Sequence, residues 1–355
     1  MRVLRNLGLL SRVARHYGVP PIQIGRRALY LYRHHNFGFQ DAMRCGLLDP
    51  NLPDAAAFGC IRRADITPIQ NRHNRVEWKC LTEDKAVFYS FCGHAGIPAP
   101  EMLAVVGKAG GRTVKGASPS SRAEWERYFA NDLPAEFVVK PTLGAHGKGF
   151  RLYRRDAADF SAPVLYDHLT KSTEWDNFVI QRRIRSHSDI VQLTGSEALQ
   201  TARIITCVTP QGDIDVYLTF FRIVVGANFY DNHNYGLSGN LIANIDPVSG
   251  VSPRQPEGAS PNGIGFSVLT NHPKTGAPFA DFQLPHWQEA RKLAEHAAVL
   301  FLPLRTIGWD LALTDDGPLL LQGNAEWDPV NHLVMHAGPE HQLELADFLN
   351  CLRAA

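Results

Sequence analysis

Residues Gly308–Asp328 read GWDLALTDDGPLLLQGNAEWD, two apolar runs joined by Asp315-Asp316-Gly317-Pro318. Asp-Gly between apolar runs is a strong hairpin signal. Folding about that turn sets Asp310 opposite Gln322. Strand alternation then puts Asp310, Ala312, Leu320, Gln322 and Asn324 on one face, with Trp309, Leu311, Leu319 and Leu321 on the other. One carboxylate and two amide oxygens on one face form a hard-cation donor set. Mg²⁺ takes one or two protein oxygens and fills its remaining positions with phosphate and water. By itself the segment also reads as a plain hairpin with a polar edge.

Upstream, Ala135–Tyr153 reads AEFVVKPTLGAHGKGFRLY. An apolar strand ends in Lys140-Pro141, a loop carries Gly144, Gly147 and Gly149, and a second apolar run follows. Glycines let successive backbone N–H groups turn toward a phosphate, and Lys140 and Lys148 add positive charge. The loop lacks the Walker pattern, because Thr142 stands where a glycine is needed and no Ser or Thr follows Lys148. It lacks the Rossmann pattern too, since a strand and not a helix follows. Two arginines, Arg203 and Arg222, sit in successive apolar β runs. A half-buried guanidinium needs an anionic partner, either a phosphate-like group or a structural acid such as Asp213 or Asp215.

These groups need elements to hold them. The pattern predicts a helix over Asp84–Gly96, a strand over Pro98–Val106, a helix over Ser121–Ala130 and a hairpin over Phe137–Tyr153. Further on it predicts a helix over Ala157–His168, a strand over Asn177–Ile184, and strands over Ala202–Thr209 and Ile214–Val225. A helix over His286–Phe301 precedes the final hairpin. Residues 226–280 are rich in Gly, Asn, Pro and Ser, a loop region of the kind that carries substrate contacts. Within it Asp231, Asn232, Asn234, Gly239 and Asn240 form a donor-rich stretch. His233 reads as a solvated loop histidine and His272-Pro273 as a structural turn.

The chain has 355 residues, 45% hydrophobic and 20% charged, enough for one large core or two to three lobes. No apolar run approaches the roughly 20 residues that span a bilayer. Leu7–Leu10 is too short for a signal-peptide core. Six cysteines without C-x-x-C spacing read as reduced packing residues of a cytoplasmic protein. The net charge of +1 hides an asymmetry: residues 1–79 hold 13 Lys+Arg against 5 Asp+Glu, and residues 80–355 hold 23 against 30. That basic segment reads either as a lobe facing an anionic substrate, partner or membrane surface, or as a helical cap whose arginines pair with the acidic remainder. No nucleic-acid motif accompanies the charge.

The order of lysine-bearing strand, glycine loop and later hairpin with Asp and Gln-x-Asn resembles the ATP-grasp superfamily of carboxylate–amine ligases. Within it the chain resembles the sugar-transfer-associated, alpha-L-glutamate-ligase-like branch. Further matches are Thr82-Glu83-Asp84-Lys85, Phe178–Gln181, Leu199–Thr206, Phe221-Arg222, Asp231-Asn232 with Gly236 and Gly239, Asn271–Gly276 and Gly308–Asp310, so the similarity covers about residues 80–330. The resemblance implies an α/β (α+β) ATP-grasp fold with nucleotide between two antiparallel sheets, plus a helical N-terminal extension. It divides the chain into a basic extension (1–80), an N-terminal α/β lobe (81–133), a central subdomain with the glycine hairpin (134–185) and a C-terminal subdomain (186–355).

It also implies roles. ATP is held by Lys85, Lys140, Gly144, His146, Gly147, Lys148, Gly149, Gln181, Arg182 and Ile184, with Ser188 or Asp189 as the ribose contact. Arg203 and Arg222 face the transferred phosphate, and Asp231, Asn232, Asn234, Gly239 and Asn240 lie on the acceptor side. Asp310, Gln322 and Asn324 hold Mg²⁺, or Mn²⁺ in its place. Gln322 departs from the family's usual Glu-x-Asn and removes one negative charge, unless Glu326 or Asp328 moves in. The implied activity is amide formation from small-molecule carboxylate and amine substrates through an acyl phosphate, in surface glycan or peptide-like metabolite modification. A phosphotransferase, or a degenerate non-catalytic nucleotide-binding partner, is the alternative, and a homo-oligomer is left open.

Overall fold

The computed structural model describes residues 2–54, 57, 60, 63–144, 147–209, 211–226, 231–233, 237–253 and 255–328, with side chains from residue 8 onward. His146 and Asn234 therefore lie outside the described residues. Two antiparallel sheets dominate. The first has the order β2-β1-β5-β3-β4, built from β1 (Met102–Gly107), β2 (Gly110–Thr113), β3 (Glu136–Pro141), β4 (Arg151–Arg154) and β5 (Asn177–Arg182). β1 pairs directly with β5 from Met102–Gln181 to Gly107–Asn177. Strands from residues 81–133 and 134–185 thus share one sheet.

Strand alternation sorts this sheet into two faces. Phe137, Val139, Phe178 and Ile180 pack under the helices Arg122–Asn131 and Ala162–Thr170, together with Trp125, Phe129, Leu165 and Leu169. Ser121 caps the first of these helices through a reciprocal capping box with Glu124. The opposite face carries Val138 and Lys140, paired across the sheet with Gln181 and Val179.

The second sheet has the order β10-β9-β8-β7-β6-β11-β12. Its strands are β6 (Thr201–Val208), β7 (Ile214–Ile223), β8 (Leu241–Asn244), β9 (Glu257–Ala259), β10 (Phe266–Val268), β11 (Thr306–Thr314) and β12 (Gly317–Asn324). β8, β9 and β10 lie inside the region expected to be loop. One face buries Ala202, Ile204, Phe221, Trp309 and Leu311 against the helices Lys85–Ala95 and Trp287–Leu300. The former helix is capped by Asp84, whose carboxylate accepts from Ala86 and Val87 N–H, and ends at Gly96 with φ 69°.

The N-terminal segment folds separately around Val13, Ile24, Leu31, Met43, Leu47 and Leu48. Its helices include Arg2–Tyr17 and Pro21–His35. This lobe meets the second sheet's β9–β10 connection, where Ile264 joins its core and Gly265 N–H donates to Met43 O at 2.9 Å. Gly46 and Gly265, with φ 75° and 64°, face each other so closely that a Cβ on Gly265 would stand 3.4 Å from the Gly46 Cα. No described helix is long and apolar enough to cross a membrane.

Candidate functional site between the sheets

The free face of the first sheet and one face of the second line a cleft of about 620 Å³, within the range of small-molecule sites. From β3 come Val138 and Lys140, from β5 Gln181, and from the glycine loop Gly144, Gly147 and Lys148. Lys85 starts the helix that spans both sheets' cores, and its Nζ donates to Gly144 O at 2.7 Å. Gly149 also needs to be glycine, since at φ 72° a Cβ there would fall 2.6 Å from Pro141 Cγ.

Lys140 has no hydrogen-bonded partner among the described residues; its ammonium stands 6.0 Å from the Phe150 ring centre. Burial, then the charge of Lys85, pushes its pKa down to about 8. Burial likewise lowers Lys85. Asp84 offsets part of this for Lys85 alone, so the pair carries an excess of buried positive charge that suits an anion. Gln181 is fully buried, and among the described residues neither atom of its amide has a hydrogen-bond partner. The neighbouring Tyr89 hydroxyl donates instead to Leu321 O at 2.6 Å. Val138, Ile184 and Leu321 supply apolar surface beside that amide.

Across the cleft the charges are already paired. β6 and β11 align Arg203 with Asp310. Arg203 Nε donates to Asp310 Oδ1 at 2.7 Å and Nη2 to Oδ2 at 2.9 Å, a bidentate fork. Arg222 Nη1 donates to the same Oδ1 at 2.7 Å and to Thr201 Oγ1 at 2.7 Å. Asn324 Nδ2 completes the set at 3.1 Å from Asp310 Oδ2. Burial raises the Asp310 carboxyl pKa, but the two arginines outweigh it and hold the group well below the usual carboxylate range. The partner of both arginines is thus Asp310 and not Asp213 or Asp215. Gly308 is required here, because a Cβ would come within 2.9 Å of Trp327 Cβ and 3.1 Å of Arg203 Nη1.

The hairpin pairs Asp310 with Gln322 and Gly308 with Asn324, but the register shifts after Asp310, so that Leu311 faces Leu320. This bulge overturns the expected alternation. Leu320 goes into the core with Leu311, and Leu321 lines the cleft beside Gln322. Glu326, a candidate to replace the missing carboxylate, is bound by the buried Lys79. Asp328 reaches the cleft wall.

The remaining expected residues divide. Ile184, Asn232 and Asp231 line the cleft. Asp231 Oδ2 accepts from Thr201 N–H at 2.8 Å and from the Thr201 hydroxyl, which fixes it against β6. Asn240 is fully buried and accepts from Val225 N–H at 3.2 Å, so it shapes the loop and not the cleft surface. Gly239 turns at φ 77°. His233 is buried, and burial followed by the charge of Arg222 pushes its pKa down to about 4, which corrects the expected solvated histidine. Arg182 turns at the rim to Glu101, 2.9 Å away.

Ser188 and Asp189 do not line the cleft. They begin a helix, Ser188–Thr194, where Ser188 binds Asp315 at 2.9 Å and Asp189 is exposed. Glu197, which sequence reasoning passed over, is the carboxylate on the cleft after β5, 3.1 Å from Arg183. In the sequence it is the second acid beyond β5, after Asp189. Among the described residues no cluster of three or more His, Cys, Asp or Glu could hold a metal by itself.

A family model described as sugar-transfer associated ATP-grasp matches residues 66–346. Among solved structures, D-cycloserine synthetase DcsG is 19% identical over 79% of this chain and 72% of its own, with a TM-score of 0.41. D-alanyl-alanine synthetase A from Vibrio cholerae is 10% identical over 77% of this chain and 65% of its own, TM-score 0.43. An N5-carboxyaminoimidazole ribonucleotide synthetase in complex with ADP is 12% identical over 83% of this chain and 63% of its own, TM-score 0.46. The chain thus spans less than two thirds of the length of the latter two. Among curated proteins no sequence matches.

Proposed function

The chain belongs to the sugar-transfer associated ATP-grasp family, and we propose that it is an ATP-dependent carboxylate–amine ligase. The observation that carries this reading is Lys140, buried beside Lys85 on one wall with no carboxylate partner among the described residues, opposite Arg203 and Arg222 on the other. In this reading the γ-phosphoryl of ATP passes to a substrate carboxylate oxygen and ADP leaves. An amine nitrogen then attacks the acyl carbon, phosphate departs, and the nitrogen sheds a proton to give an amide. Positioning and charge stabilisation supply most of the catalysis.

Lys85 and Lys140 hold the nucleotide phosphates, and the loop of Gly144, Gly147 and Gly149 covers them. Val138, Ile184 and Leu321 sandwich the base, while the open amide of Gln181 reads its edge. Glu197, not Asp189, is the ribose carboxylate. Arg203 and Arg222 receive charge as it develops on the transferred group, and Asp231 and Asn232 border the acceptor side. Asp310, Gln322 and Asn324 suit one divalent ion, Mg²⁺ or Mn²⁺, held mainly by the triphosphate, because they offer one carboxylate and two amides. Such an ion neutralises phosphate charge when bound. A cytoplasmic setting belongs to the same reading.

The neutral Gln322, together with an Asp310 already engaged by two arginines, favours one rival: a nucleotide-binding protein without turnover. An ADP-release assay with pooled carboxylates and amines, sugar acids and amino sugars first, in Mg²⁺ or Mn²⁺, separates the readings. ADP formed only when both pools are present, with a product mass equal to acid plus amine less water, is the expected result. ADP with a carboxylate pool alone indicates a phosphotransferase. ATP binding with no ADP from any pool would sink the ligase reading.

A further inference from the structure

We propose that the outward face of the helix Pro21–His35 docks on an anionic lipid surface. The first 40 residues contain seven arginines and no aspartate or glutamate. In that helix Ile24 and Leu31 are buried, and Arg27, Ala28 and His35 flank them half-buried. At about 3.6 residues per turn the opposite side carries Ile22, Arg26, Leu29 and Arg33 in a single stripe, edged by Tyr30 and Tyr32. The apolar members are open to solvent: Ile22 is 67% exposed, Tyr32 63%, Leu29 47% and Tyr30 41%.

The arginines are not consumed within the chain. Arg27 binds Asp54 at 2.7 Å, but among the described residues Arg15, Arg26 and Arg33 take part in no ion pair. The basic segment meets the acidic remainder in an ion pair through Lys79 and Glu326, but not through these three arginines. Charge and apolar groups alternate along one stripe. Arginine and tyrosine also suit a protein interface, which the dimer arm of the test below separates, and a nucleic acid offers phosphates but no apolar layer for Ile22 and Leu29. A bilayer surface supplies both: acyl chains for Ile22 and Leu29, headgroup phosphates for the snorkelling arginines, and the interfacial level that tyrosine prefers.

Co-sedimentation of the full chain with phosphatidylcholine vesicles, with and without phosphatidylglycerol, tests this. Retention on the anionic vesicles that weakens as salt rises is expected. Arg26→Glu with Arg33→Glu should lower partitioning by at least about twenty-five-fold, about five-fold for each arginine lost, before the repulsion of the added carboxylates. Ile22→Ser with Leu29→Ser should weaken it at unchanged charge, while Arg26→Lys with Arg33→Lys should keep it. All six substitutions lie on the exposed stripe, and an unchanged melting temperature confirms that folding is intact. Equal retention on both vesicle types overturns the proposal, as does retention that survives charge reversal. So does binding to a duplex oligonucleotide, or a dimer abolished by the same substitutions, if vesicles are not bound.

Discussion

On the wall built by β3 and the glycine loop, Lys140 stands without a carboxylate and is pushed down to about 8. On the wall built by β6, β7 and β11, two guanidiniums converge on Asp310. The first wall stores unfavourable charge that an incoming anion would relieve, so in the proposed reading its residues set ligand affinity. The second wall has settled its charges internally, so its residues govern the integrity of the sheet and act on a ligand only by exchanging partners. Lysines and arginines of similar appearance in the sequence therefore have separable consequences.

The largest effect should come from Asp310→Ala. It strips two buried arginines of their anion, and breaking such a network costs about 3–5 kcal/mol. A urea midpoint equal to that of the unaltered protein would show that the network does not hold the sheet. Because the folded carboxyl lies below its unfolded value, its contribution is present at neutral pH. It is lost only as pH falls below about 4 toward the depressed value.

Lys140→Met should leave the fold intact and weaken ATP binding about ten- to a hundred-fold, the worth of a charged hydrogen bond of about 1.5–3 kcal/mol. Phosphates raise the pKa of this lysine, so binding takes up a proton. ATP affinity of the unaltered protein should fall as pH rises through about 8, and calorimetry on the variant should show no such dependence. Stability has the opposite sign. A folded pKa depressed below about 10.4 makes the unaltered fold gain stability from roughly pH 8 to 10, a gain the variant lacks. Affinity for ATP that is unmoved by the substitution would remove Lys140 from the nucleotide site.

Gln322→Glu should have the smallest effect. It adds a carboxylate opposite Asp310, where Arg203 and Arg222 dispel the repulsion that two acids would otherwise feel. Those arginines also compete for it, so the half-saturating Mg²⁺ for nucleotide binding should drop only about three- to ten-fold, well short of the Coulombic limit of ~4 kcal/mol per charge pair. An unchanged Mg²⁺ midpoint would mean that this hairpin does not face the metal.

What could be read from the chain follows how local each cause is. Asp316-Gly317 fixes a turn within its own four residues, so the pairing of Asp310 with Gln322 was legible. The bulge beside it was not, because turning Leu320 into the core and Leu321 to the cleft answers to Tyr89 and the core beneath. The need of Arg203 and Arg222 for an anion was plain from their apolar surroundings, but its identity depends on β6 lying beside β11, over a hundred residues away. β8–β10 were hidden for the same reason, since strands of three or four residues take their pairing from neighbours and not from pattern. Asp189 lost its expected place to a short helix invisible in the sequence, and Glu197 came to the cleft instead.

The seam between Gly46 and Gly265 gives the molecule a mechanical linkage. Beside the Ile264 side chain, the basic helices and the β9–β10 connection meet backbone to backbone at Gly46 and Gly265. β9 is hydrogen-bonded to β8 at Ile242, which lines the cleft. A continuous route of main-chain contacts therefore runs from Met43 through Gly265 and β9 to Ile242 on the cleft wall.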